Sequence, residues 1–354
     1  MKGLRLYIAP FAPDQSGAAA VFCEMGGMVI ILDAGGCAGN ICGFDEPRWF
    51  GSRSAIFSAG LRDMDAILGR DDLLVGKVEK ACRDIEASFV AVIGTPVPAV
   101  IGTDYRALAR MIEKSSGLPA VTVDTNGMAL YDEGASKAWL ALMKKFAGKE
   151  KDQPAGGRKQ TGILGMTPLA FGPDFSMEKA ADLYRAHTDG KSVIFGAGKG
   201  TDSFRMAADM EEILVVSPCG LAAARYLEKK YKIPWKADCL PELIPGFDQA
   251  ASAAESLSGG RILILHQQVL AGAARERIEK VTDCTIDTAS WFMTDRELAR
   301  PGDIRIREED DWISLVRSGD YDLIMADPLM RRAVPDYKGI WIDSPHFAVS
   351  GKYI

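Results

Sequence analysis

What most limits the folds open to this chain is its rhythm: short unbroken apolar runs recur along 354 residues, with helix-like segments between them. The runs at 28–33, 89–93 and 120–123 are rich in Val, Ile and Ala without polar alternation, as strands buried on both faces require. Strands separated by helix-length segments build parallel sheets, because parallel neighbours need a crossover. In this first block, helices are predicted at 105–114 and 133–146, and the polar, Gly/Lys-rich stretch 148–159 reads as a linker. A second block carries strands at 162–166, 192–195 and 213–217, with helices at 177–187, 202–210 and 221–231. Small residues at 250–260 mark another boundary. Beyond it lie strands at 261–266, 323–326 and 339–342 and a helix at 269–281. The doubly charged segment 300–311 reads as a surface loop. The expectation is three Rossmann-like parallel α/β domains around a central cleft, spanning 1–150, 160–255 and 258–354.

Net charge is −6 and no Lys/Arg block stands out, so a nucleic-acid partner is not expected. No apolar run approaches the ~20 residues of a membrane span, and the first residues lack the pattern of a signal peptide. A cytoplasmic protein without a membrane partner is expected. The chain has seven cysteines and three histidines, so a site built on clustered histidines has little material. An odd cysteine count without an export signal points to metal, redox chemistry or burial before a disulfide framework.

In open parallel sheets, ligands sit beyond the carboxyl ends of strands. The loop after the first strand is the most informative of these places. There Cys37 follows Gly35 and Gly36, with Cys42 five residues on. A thiol framed by glycines brings its sulfur and bare backbone N–H groups close to an inorganic cluster, and those N–H groups stabilise the cluster sulfides. Two unrelated buried thiols would give the same spacing. Asp45, Glu46 and Arg48 flank this loop, as an ion pair at an interface or as a polar turn. Cys219 opens a predicted helix whose N-terminal N–H groups would lower its pKa; a small apolar filler is the other reading. His346, just past the last strand, would donate a proton into a cleft or be a satisfied core histidine. The glycine-rich turn 196–201 fits neither phosphate-loop spacing and reads as a tight turn. Cys239 and Cys284 read as structural.

Several segments, in order, resemble nitrogenase component 1 proteins. Gly35-Gly36-Cys37 resembles the strand–turn of that family whose Cys is a cluster ligand. Residues 58–69 (SAGLRDMDAILG) and 95–104 (TPVPAVIGTD) resemble two of its conserved loops. Residues 224–235 (ARYLEKKYKIPW), 321–326 (YDLIMA) and 350–353 (SGKY) match its later segments in kind and order. The resemblance implies a low-potential oxidoreductase subunit whose [4Fe–4S] cluster bridges two subunits. It further implies electrons from a separate ATP-dependent iron–sulfur reductase and reduction of a small-molecule substrate in the interdomain cleft. Shorter branches of the family reduce tetrapyrroles, notably protochlorophyllide and the nickel-sirohydrochlorin diamide intermediate of coenzyme F430 synthesis, and this length with homodimerism resembles the latter more than the heteromeric enzymes.

The departures set limits. Of the three cysteines a family subunit usually supplies, only Cys37 stands at a matching position; Pro96 replaces one, and none lies near Ala12 and Pro13. Cys42, Cys23 and Cys82 are the candidates to compensate, with Gly36 beside the cluster; paired Cys37 and Cys42 from two copies would supply four thiolates. The cofactor-ligating Cys of nitrogenase falls near Val216, three residues from Cys219, and its His ligand falls on Ile354. No iron–molybdenum cofactor and no dinitrogen reduction are expected. Two rivals remain: a scaffold that holds a cluster or cofactor for transfer, and a cluster-free binding protein on the same fold.

Overall fold

The computed structural model describes residues 5–52, 54–148, 160–197 and 200–351. Most of the proposed 148–159 linker, two residues of the 196–201 turn and the final SGKY match beyond Gly351 lie outside them.

The first unit runs α1 (Asp14–Phe22), β1 (Met28–Ile31), α2 (Gly36–Asn40), β2 (Ala55–Ser58), α3 (Asp63–Leu68), α4 (Asp71–Asp84), β3 (Val90–Ile93), α5 (Pro96–Ile101), α6 (Tyr105–Ser116), β4 (Ala120–Val123) and α7 (Tyr131–Phe146). The second has β5 (Thr161–Leu164), α8 (Met177–His187), β6 (Ser192–Ile194), α9 (Asp202–Arg205), β7 (Glu212–Val215), α10 (Leu221–Tyr231) and β8 (Trp235–Ala237), followed by α11 (Phe247–Glu255). The third holds β9 (Arg261–Leu265), α12 (Gln268–Ile278), β10 (Thr285–Ser290), β11 (Asp303–Arg305), α13 (Glu309–Ser318), β12 (Leu323–Ala326), β13 (Ile340–Asp343) and α14 (Phe347–Ser350).

All strand pairs within the sheets are parallel, in the orders β2-β1-β3-β4, β6-β5-β7-β8 and β11-β10-β9-β12-β13. The α/β fold with three parallel sheets is as expected. Each order reverses once, between β1 and β3, β5 and β7, and β9 and β12. The loops after those six strands therefore open onto the crevices where such sheets take ligands. Alternation along β1 and β3 sends Val29, Ile31, Ala91 and Ile93 into one core and Met28, Ile30, Val90 and Val92 into another.

The 300–311 segment is not a loop: it holds β11 and the start of α13, whose first turn is capped by Glu308 and Asp311. Its charges mark a helix N-terminus and an edge strand, both of which tolerate them. The predicted 202–210 helix breaks after Arg205 into a 3-10 turn. The first helix, α1, is buried along its whole length. It fits because Gly17 and Gly134 let it touch α7. A Cβ on Gly17 would lie 1.8 Å from the Tyr131 carbonyl oxygen, and one on Gly134 1.8 Å from that of Asp14.

Candidate functional site

At the carboxyl end of β1 the chain turns through Gly35, whose φ of 123° suits glycine, into α2. Asp33 is buried there and clamps the turn. One carboxylate oxygen accepts the Ala38 N–H at 2.8 Å, the other the Ser58 hydroxyl at 2.6 Å. The helix then widens into a π turn over Ile41–Asp45, a distortion common at functional sites. Ser16 of α1 and Asn40 donate to Asp45 at 2.6 and 2.9 Å. Arg48 grips the buried Glu46 with two nitrogens and reaches Glu24 at 2.8 Å and the Ala20 carbonyl at 3.2 Å. The charges flanking the loop are thus spent inside the subunit, fastening the loop to α1.

Cys37 and Cys42 are both half-buried on this loop and pack against the same core. Burial raises both pKa values above the ordinary thiol range. The Asp33 charge adds to the rise at Cys37, where the Thr95 hydroxyl pulls the other way; Glu46 and then Asp33 add to it at Cys42. Without a cation both are thiols at neutral pH, and a bound metal would invert that balance. Cys23 and Cys82 are not brought to them. Cys23 ends α1 near the amino edge of the sheet, fully buried, its pKa pushed up to about 12 by burial first and Glu46 second. Cys82 lies on α4 and packs against the core on the opposite face of the sheet. Among the described residues, no group of three or more His, Cys, Asp or Glu is placed to hold a metal ion. One chain offers two thiols.

Around those thiols the sheet edge is apolar and open. Phe44 (71% exposed), Ile67 (74%), Val100 (86%) and Met128 (87%) come from the segments after β1, β2, β3 and β4 respectively. Met64, Leu68 and Ile101 are exposed beside them on α3 and α5. Scattered exposed apolar residues are ordinary, but a set drawn from four successive strand-end loops forms one edge, and such edges mark interaction sites. Gly36, Gly39 and Gly43 add a second sign. None needs a positive φ, and a Cβ on any of them would meet nothing within 4 Å.

The other two switch points meet at a closed junction. His346 is buried, its ring stacked on His266 with centroids 4.2 Å apart and planes at 11°. Its Nε2 pairs with the Tyr131 hydroxyl at 3.0 Å, and the Leu169 carbonyl takes its other ring proton. Its backbone N–H donates to Asp327 at 2.8 Å. Burial first, and His266 second, hold His346 well below the usual imidazole range, and burial lowers His266 to about 4. His346 is therefore a neutral, satisfied core histidine and not a proton donor to a cleft. Cys219 is also corrected. It is fully buried, and burial, with Asp132 next, pushes it up to about 12, outweighing any helix N-terminal effect. The cavity lined by His266, Phe292, Asp327 and His346 has ≈10 Å³, room for about one water. Tyr131 and His266 were not singled out from sequence; they join His346 from 215 and 80 positions away, and Asp132 beside Tyr131 accepts the Met293 N–H.

The family model of the nitrogenase component 1 type oxidoreductases matches residues 14–296, most of the chain. The chain belongs to that family. The nitrogenase iron–molybdenum cofactor biosynthesis protein NifE of Klebsiella pneumoniae is 24% identical over 189 residues, 51% of this chain and 41% of that protein. The match thus spans about two-fifths of the relative's length. Nitrogenase Cp1 at pH 6.5 superposes with a TM-score of 0.75 at 14% identity, over 100% of this chain and 89% of that one. The same protein at pH 5 gives 0.67 at 14% identity, over 96% and 84%. At such identities the likeness lies in the fold. No described helix is long and apolar enough to cross a membrane.

Proposed function

We propose that this chain is a cluster-holding subunit of the component 1 type. Two copies meet across the carboxyl edges of their first sheets, and Cys37 and Cys42 of each hold one [4Fe–4S] cluster between them. The carrying observation is the arrangement of that edge: two half-buried thiols on a bed of glycines without internal packing, ringed by exposed apolar side chains. A twofold contact there would cover the apolar ring and bring the thiols to four, the number such a cluster takes. The cluster would serve as a low-potential one-electron carrier. The chain's own part is to fix the thiols through Asp33 and the Ser16–Asp45 tie and to present the Gly36 N–H to the sulfides.

Two uses of such a cluster follow. The first, transfer to an acceptor as a scaffold, draws support from the likeness to a cofactor biosynthesis protein and from the closed junction. The second has an ATP-hydrolysing iron–sulfur protein supplying electrons for reduction of a small molecule, such as a tetrapyrrole, between the sheets. Component 1 proteins typically work with a reductase partner, which supports it. It requires the junction around His346 to open.

The test is anaerobic purification with iron, sulfide and oligomer analysis. The expected result is a brown dimer that loses most of its iron in Cys37→Ala and Cys42→Ala but not in Cys82→Ala. A colourless, iron-free dimer would end the cluster reading and favour a cluster-free binding protein. Loss of the cluster to an apo-acceptor, set against ATP-dependent substrate reduction, separates the two uses.

A further inference from the structure

A different cavity opens at the carboxyl edge of the third sheet, lined by neither the thiols nor the two histidines, with a volume of ≈110 Å³. We propose that it binds a small oxyanion, a carboxylate or a phosphate, held by Arg296, Arg305 and Ser290.

The register of β10 and β11 builds it. Thr288 stands beside Asp303 and Ser290 beside Arg305, so these four share one face of the sheet. The inner pair is closed: Asp303 accepts from Thr288 at 2.8 Å and from the buried Arg275 guanidinium at 2.7 Å. The other acid on the wall, Asp295, is gripped by Arg225 through two bonds of 2.7 and 2.8 Å, with the exposed Glu297 sharing that guanidinium at the rim. Every carboxylate lining the cavity is thus matched by a cation. The two lining arginines are not matched in return. Arg296 and Arg305 are exposed and make no ion pair or side-chain hydrogen bond among the described residues. Ser290 is 3% exposed, and its oxygen accepts the Phe292 N–H at 3.3 Å, leaving the hydroxyl proton uncommitted.

The cavity therefore carries two uncancelled positive charges and a buried hydroxyl donor, in a chain whose net charge is −6. Charge-assisted bonds from guanidinium to an oxyanion are the strong kind, and a planar fork suits both carboxylate and phosphate. A volume of ≈110 Å³ limits the ligand to a few heavy atoms. Ala271 and Ile304 on the wall favour a short apolar body behind the anionic group.

Calorimetric titration of the full chain with inorganic phosphate and with butyrate, at constant ionic strength, tests this. The expected result is saturable one-site binding of at least one probe. Arg305→Gln and Arg296→Gln should each weaken it about tenfold, as loss of a charged hydrogen bond predicts. Ser290→Ala should weaken it less. Both arginines are exposed, so the melting temperature of the ligand-free variants should stay put. Saturation by phosphate alone assigns the phosphate class, by butyrate alone the carboxylate class. Hydrogen exchange at 290–296 should slow on loading. Linear, non-saturating heats with both probes, or equal binding by the doubly substituted chain, would overturn the proposal.

Discussion

Two regions of this molecule use the same place in the parallel sheet in opposite ways. At the first sheet, the carboxyl-edge loops leave Phe44, Ile67, Val100 and Met128 in solvent around two thiols. At the second and third, the corresponding loops fold onto one another and bury Cys219, His266, Asp327 and His346. Hydrogen bonding explains the difference. The closed junction satisfies the His346 imidazole internally, through Tyr131 and the Leu169 carbonyl, whereas the open edge leaves its apolar side chains uncovered. A closed edge holds a fold together, whereas the open one is where the proposed twofold contact would form.

The two regions are joined through one helix contact, and breaking it gives the largest expected effect. Tyr131 and Asp132 reach the junction from the start of α7, while α1 carries Ser16 to the thiol loop. Gly134→Val would drive a side chain into the Asp14 carbonyl, already 1.8 Å from a Cβ. Backbone cannot yield as a flexible side chain does, so overpacking here should cost about 3 kcal/mol or more in urea unfolding. A loss under about 1 kcal/mol would show that α1 and α7 slide apart freely, and that the two regions are not coupled.

The open edge is sharpened by Val100→Asp. Since Val100 is 86% exposed, unfolding free energy should change by less than about 0.5 kcal/mol. In the proposed twofold contact, burying an unpaired carboxylate should nonetheless raise the dissociation constant about 30-fold or more, read by sedimentation. An unchanged sedimentation profile would place the interface elsewhere. At the closed edge, Tyr131→Phe leaves the His346 Nε2 without its donor and should cost about 1–3 kcal/mol, with sedimentation unchanged. A neutral result would mean that water replaces the hydroxyl.

Legibility from sequence followed burial. Strands such as β1, β3 and β9 are covered on both faces, and their Val/Ile runs announced them. The edge strands β2, β8 and β11 are short and carry less apolar sequence, and none was picked out. β10 (TIDTAS) was missed for another reason. Its polar residues are buried against distant partners, as when Asp287 accepts from Arg261 and Tyr321. The fully buried α1 lacks an amphipathic stripe, because small residues admit it to the core all round. The turn that carries Cys37 was visible because glycines at a strand end are a local signal. The fates of Cys219 and His346 were not, since burial by residues eighty or more positions away leaves no local trace.

The pH dependence is the most diagnostic, because charges at the junction oppose one another. Burial raises Asp132 to about 6 and raises Asp327, whereas it lowers His266 to about 4 and His346 well below its usual range. A histidine with a depressed pKa contributes stability that is full above its unfolded value of ~6.5 and fades as pH falls towards the folded one. A carboxylate with a raised pKa does the reverse: its contribution is full below ~3.9 and is lost as pH rises through the folded value. Between pH 6 and 4 His266 and Asp132 therefore offset each other in the wild type. Asp132→Asn removes one offset. Relative to wild type, it should lose about 1.4 kcal/mol per pH unit as pH falls from 6 to 4, whatever its fixed cost. His266→Gln should gain by a similar slope over the same range. Parallel pH profiles for all three proteins would mean that protons reach the junction as easily folded as unfolded, and that this edge is no more closed than the other.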